Sequence, residues 1–364
     1  MTAESGGLTA DRREFELPLA SPLSTAGGGI ETREGTLIRV KDEGDGDDPG
    51  APAGVGEATP LPGWTESLDA CRDALDAALD RLETDGPDAA LDGMEGAPAA
   101  RHGLSLALLD REARAAGEPL YRHLRDDADH REDGRRVDSV PVNATVGDGR
   151  IMETVAAARE AVEAGFTTLK VKVGARETAI DAGRVEAIRS EVPGDLRLRV
   201  DANGAWSRRE ARLATGAIPD VEYVEQPLAA GDLAGHAGLR DRAAIALDET
   251  LAEHSIAEVI EAGAGDVVVL KPMVLGGVDR AFSAATAARE AGIDPVITTT
   301  VDGVVARTAA VHLAAALEID RGCGLATARL LESELAPDPA PVSDGEIAVP
   351  AGPGNGVSVA WTGE

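Results

Sequence analysis

The chain is predicted to be an α/β protein: a modified (β/α)8 barrel of TIM type, seven βα units and a last strand, (β/α)7β, preceded by an N-terminal α+β domain. Three observations predict this. From residue 138 onward short β-type runs alternate with amphipathic helical stretches. The crossovers between runs are of helical length, which demands parallel neighbours. No glycine-rich phosphate fingerprint follows the first run, which favours closure into a barrel over an open sheet.

Residues 14–40 read as short extended segments around a glycine-rich bend at 25–29, with a hairpin partner at 55–57. The acidic loop 42–50 between them is too polar to pack. As a calcium loop starting at Asp45 it would carry Pro49 at the fifth position and Gly56 at the twelfth, where a bidentate glutamate belongs, so it reads as a solvated loop. Leu68, Cys71, Leu75, Leu79 and Leu82 fall at helical spacing and predict a helix over 67–82. A second helix is predicted over 89–116, after which 119–124 breaks toward a charged linker, 125–136.

Barrel strands are predicted at 140–145, 168–173, 196–200, 221–224, 244–247, 266–270 and 295–299. Helices are predicted at 152–164, 179–190, 208–216, 255–262 and 278–291, with a last helix at 304–317 and an eighth short strand near Ile319. The domains are therefore expected at 1–136, 137–331, and a tail, 332–364, that returns to the first domain.

At 364 residues and 43% apolar content the chain supplies a sizeable core. Its formal charge of −30 argues against nucleic acid and anionic membranes as partners, since phosphate binding needs basic stripes. Such acidity resembles salt-adapted proteins, and stability at low salt is expected to be poor. Cys71 and Cys323 show no C-x-x-C spacing, so neither structural zinc nor a disulfide framework is indicated. The N-terminus carries no apolar signal-type run, and no stretch approaches a membrane span, so a cytoplasmic protein is expected.

Only four of the 35 basic residues are lysine, and three of them, Lys170, Lys172 and Lys271, sit in two short apolar segments. Arginine cannot release its proton near neutral pH, whereas lysine can, so a lysine retained in a strand points to acid/base work. In a barrel the C-terminal strand ends converge on one mouth. Reading those ends in turn yields Lys170 and Lys172, Asp201 and Asn203, Glu225, Asp248 with Glu249, and Lys271. The steps from Asp201 to Glu225, Asp248 and Lys271 are 24, 23 and 23 residues, one βα unit each, which places them at matching heights. Each carboxylate alone reads equally well as an ion-pair partner or helix cap. Together, three carboxylates in a small low-dielectric space call for a divalent cation, and an oxygen-only donor set suits Mg²⁺, with Mn²⁺ able to substitute. Such a site could hold a small-molecule carboxylate on the cation while a lysine amine removes the neighbouring proton, the cation absorbing the charge of the resulting enediolate. Lys170 beside Lys172 is expected to lower its neighbour's pKa by like-charge repulsion.

The motifs Lys170-Val171-Lys172, Asp201-Ala202-Asn203-Gly204-Ala205-Trp206, Glu225-Gln226-Pro227, Leu247-Asp248-Glu249-Thr250 and Lys271-Pro272 with Gly276-Gly277 resemble the muconate-lactonizing subgroup of the enolase superfamily. The resemblance implies an N-terminal capping domain over the barrel, metal binding by Asp201, Glu225 and Asp248, Lys172 as base and Lys271 opposite it. Segments 15–26 and 54–63 look like those of the o-succinylbenzoate synthases of menaquinone biosynthesis, lyases in which syn elimination lets one lysine serve as base and then acid. The end of the seventh barrel strand, residues 298–303, departs from the serine-rich version of some synthases, yet the hydroxyls of Thr299 and Thr300 and the N–H of Gly303 are expected to hold a succinyl group; the superfamily resemblance implies a lid near residues 23–29. Dipeptide epimerases tend to carry an aspartate pair near the eighth strand; residues 321–325 have none. An N-acylamino acid racemase, or a dipeptide epimerase, is the alternative within the class. A metal-binding barrel without catalysis is the alternative outside it.

Overall fold

The computed structural model describes residues 7–25, 28–45, 52–126, 136–218 and 220–361. Residues 26 and 27 of the expected lid, most of the acidic loop and the charged linker from 127 to 135 lie outside the described residues.

The N-terminal segment forms longer strands than its short apolar runs suggest. β1 (Leu8–Thr25) pairs antiparallel with β2 (Gly28–Asp42), and β2 pairs with β3 (Gly54–Ala58). The ladder runs in step from Leu8↔Asp42 to Pro18↔Thr32 and shifts before Leu23↔Ile30. Pro18 and Pro22 flank that break, and neither can donate a ladder hydrogen bond. α1 (Leu68–Asp85), begun by the Ser67 hydroxyl accepting from Ala70 N–H, is followed by α2 (Pro87–Asp92), α3 (Pro98–Ala116) and α4 (Leu120–Asp126). The expected break at 119–124 is thus a helix, because a proline ahead of the first turn is compatible with helical geometry. Cys71, Leu75 and Leu82 of α1 pack with Leu104 of α3 beneath Ile38 and Val40. α3 lies directly on β3: a Cβ on Gly56 would stand 1.8 Å from the Gly103 carbonyl oxygen, so this approach requires glycine.

The barrel begins with β4 (Ser139–Pro141) and β5 (Ala144–Val146), followed by α5 (Ile151–Glu163), β6 (Thr168–Lys172), α6 (Thr178–Arg189), β7 (Arg197–Asp201) and α7 (Arg208–Ala217). It continues through β8 (Val224–Glu225), α8 (Leu233–Ala237), β9 (Ile245–Leu247), α9 (Thr250–Glu253), α10 (Ile256–Ala262), β10 (Val267–Leu270), α11 (Pro272–Leu275), α12 (Val278–Glu290), β11 (Asp294–Ile297) and α13 (Val304–Ala316). β5 to β11 form one parallel seven-stranded sheet in sequential order. Leu169, Val171, Leu198, Val200 and Val268 are fully buried, as expected for strands covered by helices outside and side chains within.

The edges of that sheet meet through Cys323 and Gly324, which bridge Val142 and Thr298 respectively. The eighth stave is therefore there and not near Ile319. Ile319 instead completes the end of α13: Glu318 adopts φ +48°, its N–H donates to Ala315 O, and Ile319 N–H donates to Ala314 O, a Schellman arrangement. The apolar character of Ile319 serves that cap, while the real stave, Gly322-Cys323-Gly324, lacks β-type residues. Within the tail, β12 (Val342–Ser343) and β13 (Glu346–Ala348) add to β4. Farther on, Leu120 N–H donates to Gly354 O at 2.8 Å and the Arg39 guanidinium stacks on Trp361. No helix among the described residues is long and apolar enough to cross a membrane.

Candidate active site

Strand register sets the site. Lys172 lies abreast of Asp201, and Asp201 abreast of Glu225, across three neighbouring strands. The alternation of β6 turns Leu169 and Val171 into apolar packing and sends Lys170 and Lys172 into the lumen. Lys170 Nζ donates to Asp201 Oδ2 and Glu225 Oε1, both at 2.9 Å. Lys172 Nζ donates to Asp201 Oδ2 at 2.7 Å and to Asn203 Oδ1 at 2.8 Å, and Asn203 Nδ2 donates to Glu249 Oε1 at 2.9 Å. Asn203 reaches this network from a turn, not from a continued strand: its φ is +45°, a left-handed conformation asparagine tolerates, and its N–H donates to Asp201 Oδ1.

Lys271, on the far side, is paired closely with Asp248, and its Nζ lies 3.8 Å from the ring centroid of Trp64. Trp64 comes from the N-terminal domain, so the site is closed by both domains. Sequence spacing carries no sign of it, nor of Gln226, which takes φ +40° and fixes the β9 exit. Gln226 Oε1 accepts from Asp248 N–H at 2.9 Å and Thr250 N–H at 3.2 Å, while its Nε2 donates to Leu228 O and Thr250 Oγ1. Residue by residue, Lys170, Lys172, Asp201, Asn203, Glu225 and Glu249 join one network, and Asp248 with Lys271 forms a second.

Lys170, Lys172, Asn203, Asp248, Glu249 and Lys271 line a cavity of about 1000 Å³, with Asp201 and Glu225 buried behind them. Its strand-seven wall carries Thr299 and Thr300, the first of which shares a hydrogen bond with Thr327 of the eighth-stave loop at 3.2 Å. Thr300 is capped by Asp302, whose carboxylate also accepts Thr300 N–H, so Asp302 is a loop cap. Gly303 is not available to a ligand. Its N–H donates to Glu57 Oε1 at 2.7 Å, at the start of α13.

Burial works against ionisation of Asp201, but the ammonium groups of Lys170 and Lys172 outweigh it and hold its carboxyl well below the usual range. Burial also favours a neutral Lys170, yet Asp201, Glu225 and Asp248 together raise it well above an ordinary lysine. Lys170 is thus a fixed positive charge beside Lys172. Glu225 is pushed up to about 7 by burial and by the charge of Asp201, and burial raises Asp248 as well. Among the described residues no three acidic, histidine or cysteine side chains stand arranged as an ion cage. The ammonium of Lys170 bridges Asp201 and Glu225, and that of Lys271 pairs with Asp248. An oxygen-only donor set fits Mg²⁺.

Residues 153–362 match the family model described as enolase C-terminal domain-like. The chain is 42% identical over 209 residues to an o-succinylbenzoate synthase of Thermobifida fusca, a match spanning 56% of this chain and 64% of that protein. It is 29% identical over 357 residues to the L-Ala-D/L-Glu epimerase of Bacillus subtilis, covering 94% of this chain and 93% of that one. A dipeptide epimerase from Enterococcus faecalis, solved with Mg and the dipeptide L-Leu-L-Tyr, superposes with a TM-score of 0.83 at 27% identity, over 97% of this chain and 99% of that one. With its lumen carboxylates, its opposed lysines and these likenesses, the chain belongs to the enolase superfamily.

Proposed function

We propose that this protein is an o-succinylbenzoate synthase, removing water from 2-succinyl-6-hydroxy-2,4-cyclohexadiene-1-carboxylate. The observation that carries this reading is the composition of the cavity: amines on opposite sides of the acids, and a wall from strand seven and the eighth stave that offers threonine hydroxyls and no carboxylate. A dipeptide's ammonium group would need an acid on that wall. The 42% identity to a synthase, against 29% to an epimerase, supports the same choice.

Asp201, Glu225 and Asp248 would hold Mg²⁺, which when bound supplies positive charge for the substrate carboxylate. Lys172, aimed by Asp201 and Asn203, takes the proton from the carbon next to that carboxylate. Lys170 stays charged beside it, held by Asp201 and Glu225. Lys271, oriented by Asp248 and Trp64, presents its ammonium to the opposite face. Lys172 then returns its proton to the departing hydroxyl, the C–O bond breaks, and water leaves as the ring becomes aromatic. One lysine thus suffices as base and acid, since both events occur on one face.

Ultraviolet absorbance of the aromatic product, followed with Mg²⁺ and after chelation, tests the reading: metal-dependent product formation is expected. The rival racemase or epimerase reading draws on the fuller coverage of the epimerase likeness. It predicts solvent deuterium in both stereoisomers of an N-acylamino acid or dipeptide. That label without any dehydration would replace the synthase reading, and Mg²⁺ binding with neither reaction would favour the non-catalytic barrel.

A further inference from the structure

Four cationic side chains line the cavity: Lys170, Lys172, Lys271 and Arg329. The three lysines are each tied to carboxylates. Arg329 is exposed and, among the described residues, has no hydrogen-bond or ion-pair partner. It is the one cation of the cavity lining without a carboxylate partner among the described residues.

Its position is built. Arg329 lies in the short turn Ala328–Leu330 that leaves the eighth stave. That turn is closed by Leu330 N–H donating to Thr327 O, and its exit is stitched to the N-terminal domain by the Leu19↔Leu331 bridge and by Glu332 N–H donating to Pro18 O at 2.9 Å. Arg329 thus lines the cavity from the turn where the cap meets the barrel, in a wall it shares with Thr299 and Thr327. The acids that line the cavity, Asp248, Glu249 and Glu253, all follow β9 instead.

We propose that Arg329 sets substrate specificity by binding a second, distal carboxylate of the substrate at the rim, while the first carboxylate lies deep in the lumen. This rests on the dehydratase reading for the identity of the diacid, the distal group being the end of the succinyl arm. A guanidinium matches a carboxylate in bidentate geometry, and the threonine hydroxyls complete its hydrogen bonds. The same feature disfavours a substrate whose distal end is neutral or cationic.

The test measures binding of o-succinylbenzoate, and of the same molecule with its terminal carboxylate replaced by a primary amide, by titration calorimetry in Mg²⁺ at constant ionic strength. The full chain and the variants Arg329→Gln and Arg329→Lys are compared. The full chain is expected to prefer the diacid by about 10-fold or more, the lower end of what a charge-assisted contact at an exposed rim delivers. Arg329→Gln should erase that preference without changing amide binding, and Arg329→Lys should restore part of it. Equal affinities in the unmodified chain, or a preference that survives in Arg329→Gln, overturns the proposal. Turnover is read separately. Dehydration by the unmodified chain with an unaltered Arg329→Gln profile leaves the synthase reading standing and removes this one. A diacid preference lost in Arg329→Gln, without dehydration, does the reverse.

Discussion

Glu57 offers a prediction whose size follows from geometry. This fully buried side chain of β3 reaches across to the barrel, where Oε1 accepts from Gly303 N–H at 2.7 Å and from the Thr59 hydroxyl at 2.6 Å, and Oε2 accepts from Ala306 N–H at 3.0 Å. It thereby latches the N-terminal domain to the start of α13 and holds the strand-seven loop that walls the cavity. Burial, then the charge of Asp302, push its carboxyl up from 4.5 to about 7. The folded state consequently keeps a proton that the unfolded chain releases. Stability from this group is complete below about pH 4.5, declines as pH rises, and is gone above about pH 7. The span corresponds to roughly 3 kcal/mol. Glu57→Gln cannot titrate, and its amide leaves at least one of the three donors without an acceptor, at about 1–3 kcal/mol. Chemical denaturation of both proteins should show the native chain ahead at pH 5, with the gap narrowing by roughly 2–3 kcal/mol by pH 8. Because the repulsion among other charges is common to both, the difference isolates Glu57. A gap independent of pH, or one that widens as pH rises, refutes the reasoning, the latter meaning that the three donors and the helix end keep the carboxylate ionised.

Replacing Lys172 with alanine is expected to lower dehydration by about 10³-fold or more, within the range for loss of a positioned base, while calorimetry still registers Mg²⁺ binding. Gln226→Leu removes the acceptor for two buried N–H groups, and a loss of about 2–4 kcal/mol in denaturation, with weakened Mg²⁺ affinity through a misaimed Asp248, is the expected result. With a net charge of −30, raising KCl from about 0.1 M to about 3 M should lift the melting temperature by several degrees; an unchanged value would show that self-repulsion does not limit stability.

The parallel sheet and the order of its strands were legible because each βα unit repeats the same switch of period, and because strand ends at matching steps must meet at one mouth. What stayed hidden has physical causes. Gly322-Cys323-Gly324 closes the barrel without β-branched residues, since small side chains let it approach Thr298: a Cβ on Gly324 would stand 2.4 Å from the Thr298 hydroxyl. Trp64, Arg33 and Glu57 act across the domain boundary, and no local spacing reports a contact whose partner is more than 200 residues away. Arg33 shows this well. It is buried, and it donates to Thr59 O and Pro60 O within its own domain and to Val301 O of the strand-seven loop. Val301 is held there at φ +62°, a costly conformation for a β-branched residue, between Leu17 and Leu331. The N–H of Gly303, expected to face a succinyl group, donates instead to Glu57 of the other domain, again a contact that local spacing does not report.

The few lysines acquire their full meaning only beside the arginines in the same lumen. Lys170 and Arg199 are register partners on β6 and β7, yet they do different work. Arg199 is fully buried, gripped by Glu222, stacked on Tyr223 with its guanidinium carbon 4.7 Å from the ring centroid, and linked to the Gly322 carbonyl. There a permanent charge ties β7 to its neighbour β8 and to the eighth stave. Two residues farther along β7 the lumen becomes Asp201, faced by two lysines. Thirty-one of the 35 basic positions are arginine. An arginine at 172 would keep its proton at any working pH and could neither take one from carbon nor return it to a departing hydroxyl. Under the proposed mechanism Lys172 is the position where a proton has to move, whereas Lys170 and Arg199 only hold charge, which is why Lys172→Arg should preserve the fold and its ion pairs while abolishing turnover.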